Sequence, residues 1–195
     1  MTMTTSLNKS RPVYAPLEPD PHGTQHWFIT SCAAEADRAQ ALAALRSAGA
    51  LQVWTVQDGS RVEAALPPGT VKRFDDERSL LAALEHALRD VCIGVRFYVL
   101  GSEPFIWSVR QTAERFAMAP EAVRVAHSGS LQRRVYCIHC RTLNEQVTSN
   151  VVTCGGCRRN LFVRDHFSRR LAAFMGVQAD AEAPGELPEV EFPYL

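Results

Sequence analysis

Two cysteine pairs in the last third of the chain constrain its fold more than any other feature. Cys137 and Cys140 form one C-x2-C pair and Cys154 and Cys157 a second, with thirteen residues between the pairs. Two residues between cysteines let one tight turn aim both sulfurs at a single point. Two such turns complete a tetrahedral set of four thiolates, with Zn–S distances of about 2.3 Å. Gly155 and Gly156 suit the backbone of the second turn, and Arg141, Arg158 and Arg159 beside the sulfurs offset the double negative charge of a zinc tetrathiolate centre. The spacing names Cys137, Cys140, Cys154 and Cys157 as metal ligands. With all four positions closed, the ion is structural and holds together a segment too small to fold alone. Zinc is the expected ion; rubredoxin-type iron uses the same ligands, and spacing does not separate the two.

The remaining candidates carry no catalytic assignment. His139 sits between two ligands, but four sulfurs suffice, so it is expected to face solvent. Asp165 and His166 stand at a predicted helix start, where Asp165 serves as a cap. His127 has no partner in the sequence. Cys32 and Cys92 stand alone and read as small buried hydrophobes.

Hydrophobic residues make up 46% of the chain, enough to build a core. Its apolar runs are far shorter than the roughly 20 residues a membrane span needs. The first residues, MTMTTSLNKSRPVYAPLEPDPHGTQ, lack the apolar core of a secretory signal. A cytoplasmic protein with reduced thiols and no membrane contact is the expectation. Net charge is zero, which argues against a bulk nucleic-acid or membrane binder. The charge is nevertheless segregated. Nine arginines and only Glu145 and Asp165 as acids lie between Arg124 and Gly176, whereas five acids and no base follow from Asp180.

Four segments are expected. Residues 1–25, with Pro12, Pro16, Pro19 and Pro21, read as an irregular arm. Residues 26–130 alternate strands with helices: strands at His26–Thr30, Leu51–Asp58, Val95–Leu100 and Glu121–Ala126, and helices at Ala36–Ser47, Ser79–Arg89 and Pro104–Phe116. Pro67 to Gly69 mark a turn. This order predicts an α/β fold, a small parallel sheet flanked by helices. Residues 131–176 hold the zinc-ribbon-like four-cysteine module and a C-terminal helix over DHFSRRLAAFMG, with Phe167, Leu171 and Phe174 on one face and Gly176 as its stop. Residues 177–195 form an acidic tail without regular structure.

Two segments resemble known families. RFYVLGSEPFIWSVRQTAERFAMAPEAVRVAHSG (96–129) resembles the last strand–helix–strand unit of the nicotinamide-binding domain in ferredoxin-reductase-type flavoenzymes. The reductase's cysteine position is Leu100 here and its proline position Ser102. The glycine-rich pyrophosphate loop after the first strand is missing, so no bound nucleotide is expected. VYCIHCRTLNEQVTSNVVTCGGCRRNLFVRDHFSRRLAAFMGVQADAEAPGELPE is similar to the C-terminal region of the small subunit of bacterial dimethylamine monooxygenase and of haem-dependent oxidative N-demethylase complexes. The run VRDHFSRRLAAFMGV is its most distinctive part. The resemblance implies an accessory, non-catalytic subunit that couples reductase and haem subunits. Its partners would carry the haem, the flavin and iron–sulfur reductase, and a folate-binding module. The arms and the arginines 158, 159, 169 and 170 are the surfaces expected to meet them. Two other functions fit parts of the chain: a zinc-ribbon nucleic-acid-binding protein, opposed by the acidic tail, and a rubredoxin-like electron-transfer subunit, which requires iron.

Overall fold

The computed structural model describes residues 10–56, 66–91 and 93–195. The expected strand end at Gln57 and Asp58, and Cys92, lie outside them. The chain forms two compact units: Tyr14–Ser130, and Leu131–Leu195 together with the segment that ends at Val13.

The first unit is a five-stranded parallel sheet in the order β3-β2-β1-β4-β5. Its elements run β1 (Gln25–Ser31), α1 (Glu35–Leu45), β2 (Leu51–Val56), β3 (Val71–Phe74), α2 (Glu77–Ala87), β4 (Val95–Gly101), α3 (Glu103–Arg115) and β5 (Val123–His127). The central strands are buried almost throughout, because helices or chain cover both sheet faces. On one face Phe28, Val53, Tyr98 and Leu100 pack with Ala41, Leu42 and Leu45 of α1. Right-handed crossovers place α2 and α3 on the opposite face. There four aromatic rings from four strands stack in a row, Phe74, Trp54, Trp27 and Phe97, with centroids 5.4, 5.0 and 5.3 Å apart.

Local chemistry sets the helix limits. Asp76 accepts the Ser79 N–H at 2.7 Å while the Ser79 hydroxyl takes the Asp76 N–H, a capping box that starts α2. Pro104 stands in the first turn of α3, where its missing N–H costs nothing. The short strand β3 has no alternation to betray it: two of its four residues are Lys72 and Arg73, and pairing with β2 is what extends it.

Part of the proline-rich arm joins the core without regular structure. Leu17 is 5% exposed and packs in the cluster of Tyr98 and Leu100 on the face of α1. The Asp20 N–H donates to the Tyr98 hydroxyl at 2.8 Å, and Arg96 Nε donates to the Asp20 carboxylate at 2.7 Å. Tyr14 donates to Glu103 and accepts from the Trp107 indole.

The second unit is a mixed sheet in the order β7-β6-β10-β9-β8, built from β6 (Arg133–Cys137), β7 (Leu143–Val147), β8 (Val151–Thr153), β9 (Asn160–Ser168) and β10 (Ala173–Gln178). The expected C-terminal helix is absent. DHFSRRLAAFMG is instead the end of β9, a turn containing Ala172 at φ 50°, and the start of β10. The helical spacing of Phe167, Leu171 and Phe174 is incidental. Phe167 and Phe174 face each other across the antiparallel β9–β10 pair as an edge-on contact at 5.0 Å. β10 is the central strand and also bonds in parallel to β6, so its backbone groups gain two ladders that a helix would forfeit. Gly176 stops nothing; it lies within β10, where a Cβ would press on Val135 at 2.7 Å and Leu161 at 3.0 Å. Asp165 caps nothing either, and accepts from Arg133 Nη2 at 2.8 Å.

The tail after Gln178 has no helix or strand, yet it is tied down. The Glu191 N–H donates to Asn150 Oδ1 at 2.9 Å, its carbonyl accepts the Asn150 N–H at 3.0 Å, and the Tyr194 N–H donates to the Thr148 carbonyl at 3.1 Å. Arg133 is 2% exposed, and its guanidinium is sandwiched 3.9 Å from the Phe174 ring and 3.8 Å from that of Tyr194.

Candidate metal centre

The two cysteine turns sit at matching places in two hairpins, β6–β7 and β8–β9. In the first, the Cys137 N–H donates to the Thr142 carbonyl and the Arg141 N–H to the Cys137 carbonyl, both at 2.9 Å. In the second, the Cys154 N–H donates to the Arg159 carbonyl at 2.8 Å and the Arg158 N–H to the Cys154 carbonyl at 3.0 Å. Arg141 and Arg158, each one residue past the second cysteine, both adopt left-handed backbone, at φ 67° and 62°. The hairpins are thus local copies of one turn, imposed by the same spacing.

All four sulfurs lie within 4.8 Å of one another. Cys137 Sγ is 3.8 Å from Cys157 Sγ, and Cys140 Sγ is 3.5 Å from Cys154 Sγ. A regular tetrahedron with metal–sulfur bonds of about 2.3 Å has edges of about 3.8 Å. The spacing therefore fits one four-coordinate ion and lies far beyond a disulfide bond. Cys137 and Cys154 are fully buried, and Cys140 and Cys157 partly exposed.

The surroundings favour thiolate at some sulfurs and oppose it at one. Burial pushes the Cys137 thiol up to about 11, against the N–H groups of Cys140 and His139 that donate to it. The Thr142 hydroxyl, 3.3 Å from Cys140 Sγ, and the Thr142 N–H bring Cys140 down to about 6. At Cys154 burial works upward, but the N–H groups of Cys157 and Gly156 prevail and lower it. A soft divalent cation would supply the positive charge needed to ionise the whole set.

Three further residues shape the centre, and only Gly156 among them is marked by the sequence pattern. Asn144 on β7, 9% exposed, bridges the hairpins: its Nδ2 donates to the Val135 carbonyl at 3.2 Å and lies 3.8 Å from Cys154 Sγ, while its Oδ1 accepts the Gly155 N–H at 2.9 Å. Thr142 has no signal in the sequence. Gly156 is required for close approach, since a Cβ there would overlap Thr142 Oγ1 and stand 3.1 Å from Cys140 Sγ. Gly155 has open space, with Asn144 Oδ1 3.7 Å away.

The other candidates fall away from the centre. His139 is exposed, and its Nδ1 lies 2.6 Å from Arg159 Nη1. His166 is exposed on β9, and His127, at the end of β5, places Nε2 3.1 Å from the Ser130 carbonyl. Cys32 is exposed rather than buried, held at φ 49° in the turn after β1. Arg158, Arg169 and Arg170 are exposed and Arg159 half-buried.

In doubly wound sheets ligands sit at the carboxyl ends of the strands where the order reverses, here between β1 and β4. The residues at that place do not fit a pyrophosphate. The Ala34 N–H, at the start of α1, donates to the Ser128 hydroxyl at 2.9 Å, and that hydroxyl donates to Asp37 at 2.6 Å. Glu35 and Asp37 in the first turn oppose an anion. A groove of about 400 Å³ beside it is bounded by the chain's own arm from Tyr14 to Glu18, with α1, Leu100 and Ala126.

Comparisons with known proteins agree along the chain. Residues 7–123 match the family described as dimethylamine monooxygenase subunit DmmA-like, N-terminal domain, and residues 134–177 match its C-terminal domain. Over 175 residues the chain is 30% identical to the heme-dependent oxidative N-demethylase delta subunit of Ectopseudomonas mendocina (strain ymp), covering 90% of this chain and 91% of that one. No solved structure shows a significant match.

Proposed function

The chain belongs to the dimethylamine monooxygenase subunit DmmA-like family, and from that premise we propose that it is the accessory subunit that couples the reductase and haem subunits of an oxidative N-demethylase. The observation that carries this reading is the pairing, in one chain similar to a demethylase delta subunit, of a parallel sheet whose switch point carries Glu35 and Asp37 with a cluster of four cysteine sulfurs spaced for one ion. Four sulfurs that complete a tetrahedral set leave no open coordination position, which supports a structural ion and a chain whose contribution is to hold other subunits. Its partners are the subunits that carry the haem, the flavin and iron–sulfur reductase, and the folate-binding module. No helix among the described residues is long and apolar enough to cross a membrane. In this reading assembly takes place in the cytoplasm.

The Cys137, Cys140, Cys154 and Cys157 set binds zinc as a structural ion in this reading. Its four sulfurs join two hairpins that stand on opposite sides of β10 in the sheet. Two measurements test the proposal. The tagged chain, produced with the other subunits, is expected to purify with them, and a chain that elutes alone refutes the subunit role. Elemental analysis is expected to give one zinc per chain in a colourless protein; a red, iron-containing protein would transfer the site to electron transport.

A further inference from the structure

We propose that Glu186–Leu195 is a docking segment, gripped by another subunit of the complex in a groove with an apolar floor and a basic rim; the proposal rests on the subunit reading above. Nine large hydrophobic side chains are exposed among the described residues, and four of them fall in this short segment: Leu187 at 47%, Val190 at 50%, Phe192 at 60% and Leu195 at 74%. A free-hanging tail would carry such groups without consequence. This one is pinned, through Glu189 and Glu191 to Asn150 and through Tyr194 to Thr148, so its apolar groups are held outward from a fixed backbone. Clustered apolar surface on an ordered segment marks an interaction site.

The chemistry of the occupant follows from the sequence between those groups. Glu186, Glu189 and Glu191 alternate with them and are exposed, with no base after Asp180 to neutralise them. A complementary surface therefore carries lysine or arginine around apolar recesses. Pro188 and Pro193 lack N–H donors and fix their φ, which lowers the entropy lost on docking and prevents the segment from recruiting further strands by ladder bonds. Recognition is thus by side chains on a preordered segment.

The test uses the full chain co-produced with the other demethylase subunits. Wild type is expected to remain with them through gel filtration, whereas V190D/F192D weakens the association about tenfold or more. E186K/E189K/E191K is expected to weaken it most at low salt. Unchanged metal content and tryptophan fluorescence show that each variant is folded. Retention of V190D/F192D within about twofold of wild type overturns the docking segment and leaves the subunit role standing. A wild-type chain that binds no subunit overturns both. Concentration-dependent self-association abolished by V190D/F192D overturns the choice of partner in favour of a second copy.

Discussion

A Cβ on Gly156 would press on both Thr142 and the Cys140 sulfur, while one on Gly155 would meet only ordinary contact. Gly156→Ala is therefore expected to weaken metal binding markedly, and Gly155→Ala to leave it near wild type, in a competition titration against a chromogenic chelator. The same titration reads the protons. The Cys137 thiol, pushed up to about 11 by burial, still holds its proton at neutral pH, and an incoming cation must expel it. Affinity is then expected to rise by about tenfold per pH unit for each proton released, between pH 6 and 8. An affinity flat across that range would mean that the sulfurs are not the ligands.

The elements differ in how they declare themselves. α2 and α3 carry start signals and one-sided apolar patterns, and β1 and β4 are apolar runs of strand length, so local reading finds them. The arm from Tyr14 to Thr24 has no such pattern, yet it covers the sheet on the side where α1 packs. Leu17→Ala is expected to cost about 2–4 kcal/mol, as for a core leucine, in denaturant unfolding; a merely solvated arm would show no such loss. Asp20 adds a pH signature. Arg96 beside it, helped by the His22 N–H, holds its carboxyl below the usual range. A carboxyl whose folded pKa is depressed stabilises above the unfolded value of about 3.9 and loses that contribution as pH falls through the folded value. Asp20→Asn is expected to lower stability at pH 7 by about 1–2 kcal/mol, the gap to wild type closing below pH 4. An equal gap at pH 7 and in acid would place the effect elsewhere than in the charge.

At the scale of the whole molecule, the two units report separately. Trp27, Trp54 and Trp107 all belong to the unit Tyr14–Ser130, and the other unit has no tryptophan. A strong chelator is expected to unfold the cysteine module while tryptophan fluorescence and helical circular dichroism persist. Loss of both together would show that the ion supports the entire chain. The thiol pairs and the strand–helix alternation are written in the sequence, because ligand spacing and side-chain period are properties of neighbouring residues. The strand order β3-β2-β1-β4-β5 is compatible with that alternation but is decided by which strands pair. Pairing also decided what the local pattern misread. Phe167, Leu171 and Phe174 satisfy a helical period, yet DHFSRRLAAFMG becomes the end of β9 and the start of β10 because β10 gains ladders with both β6 and β9, with Gly176 the residue small enough to lie against Val135 and Leu161. Asn144 reaches Cys154 and Gly155 from the other hairpin, a contact that no spacing along one chain encodes, whereas Thr142 acts on the Cys140 sulfur two residues away. Local chemistry determines which residues can bind or turn; the sheet's demand for backbone partners determines where they finally stand.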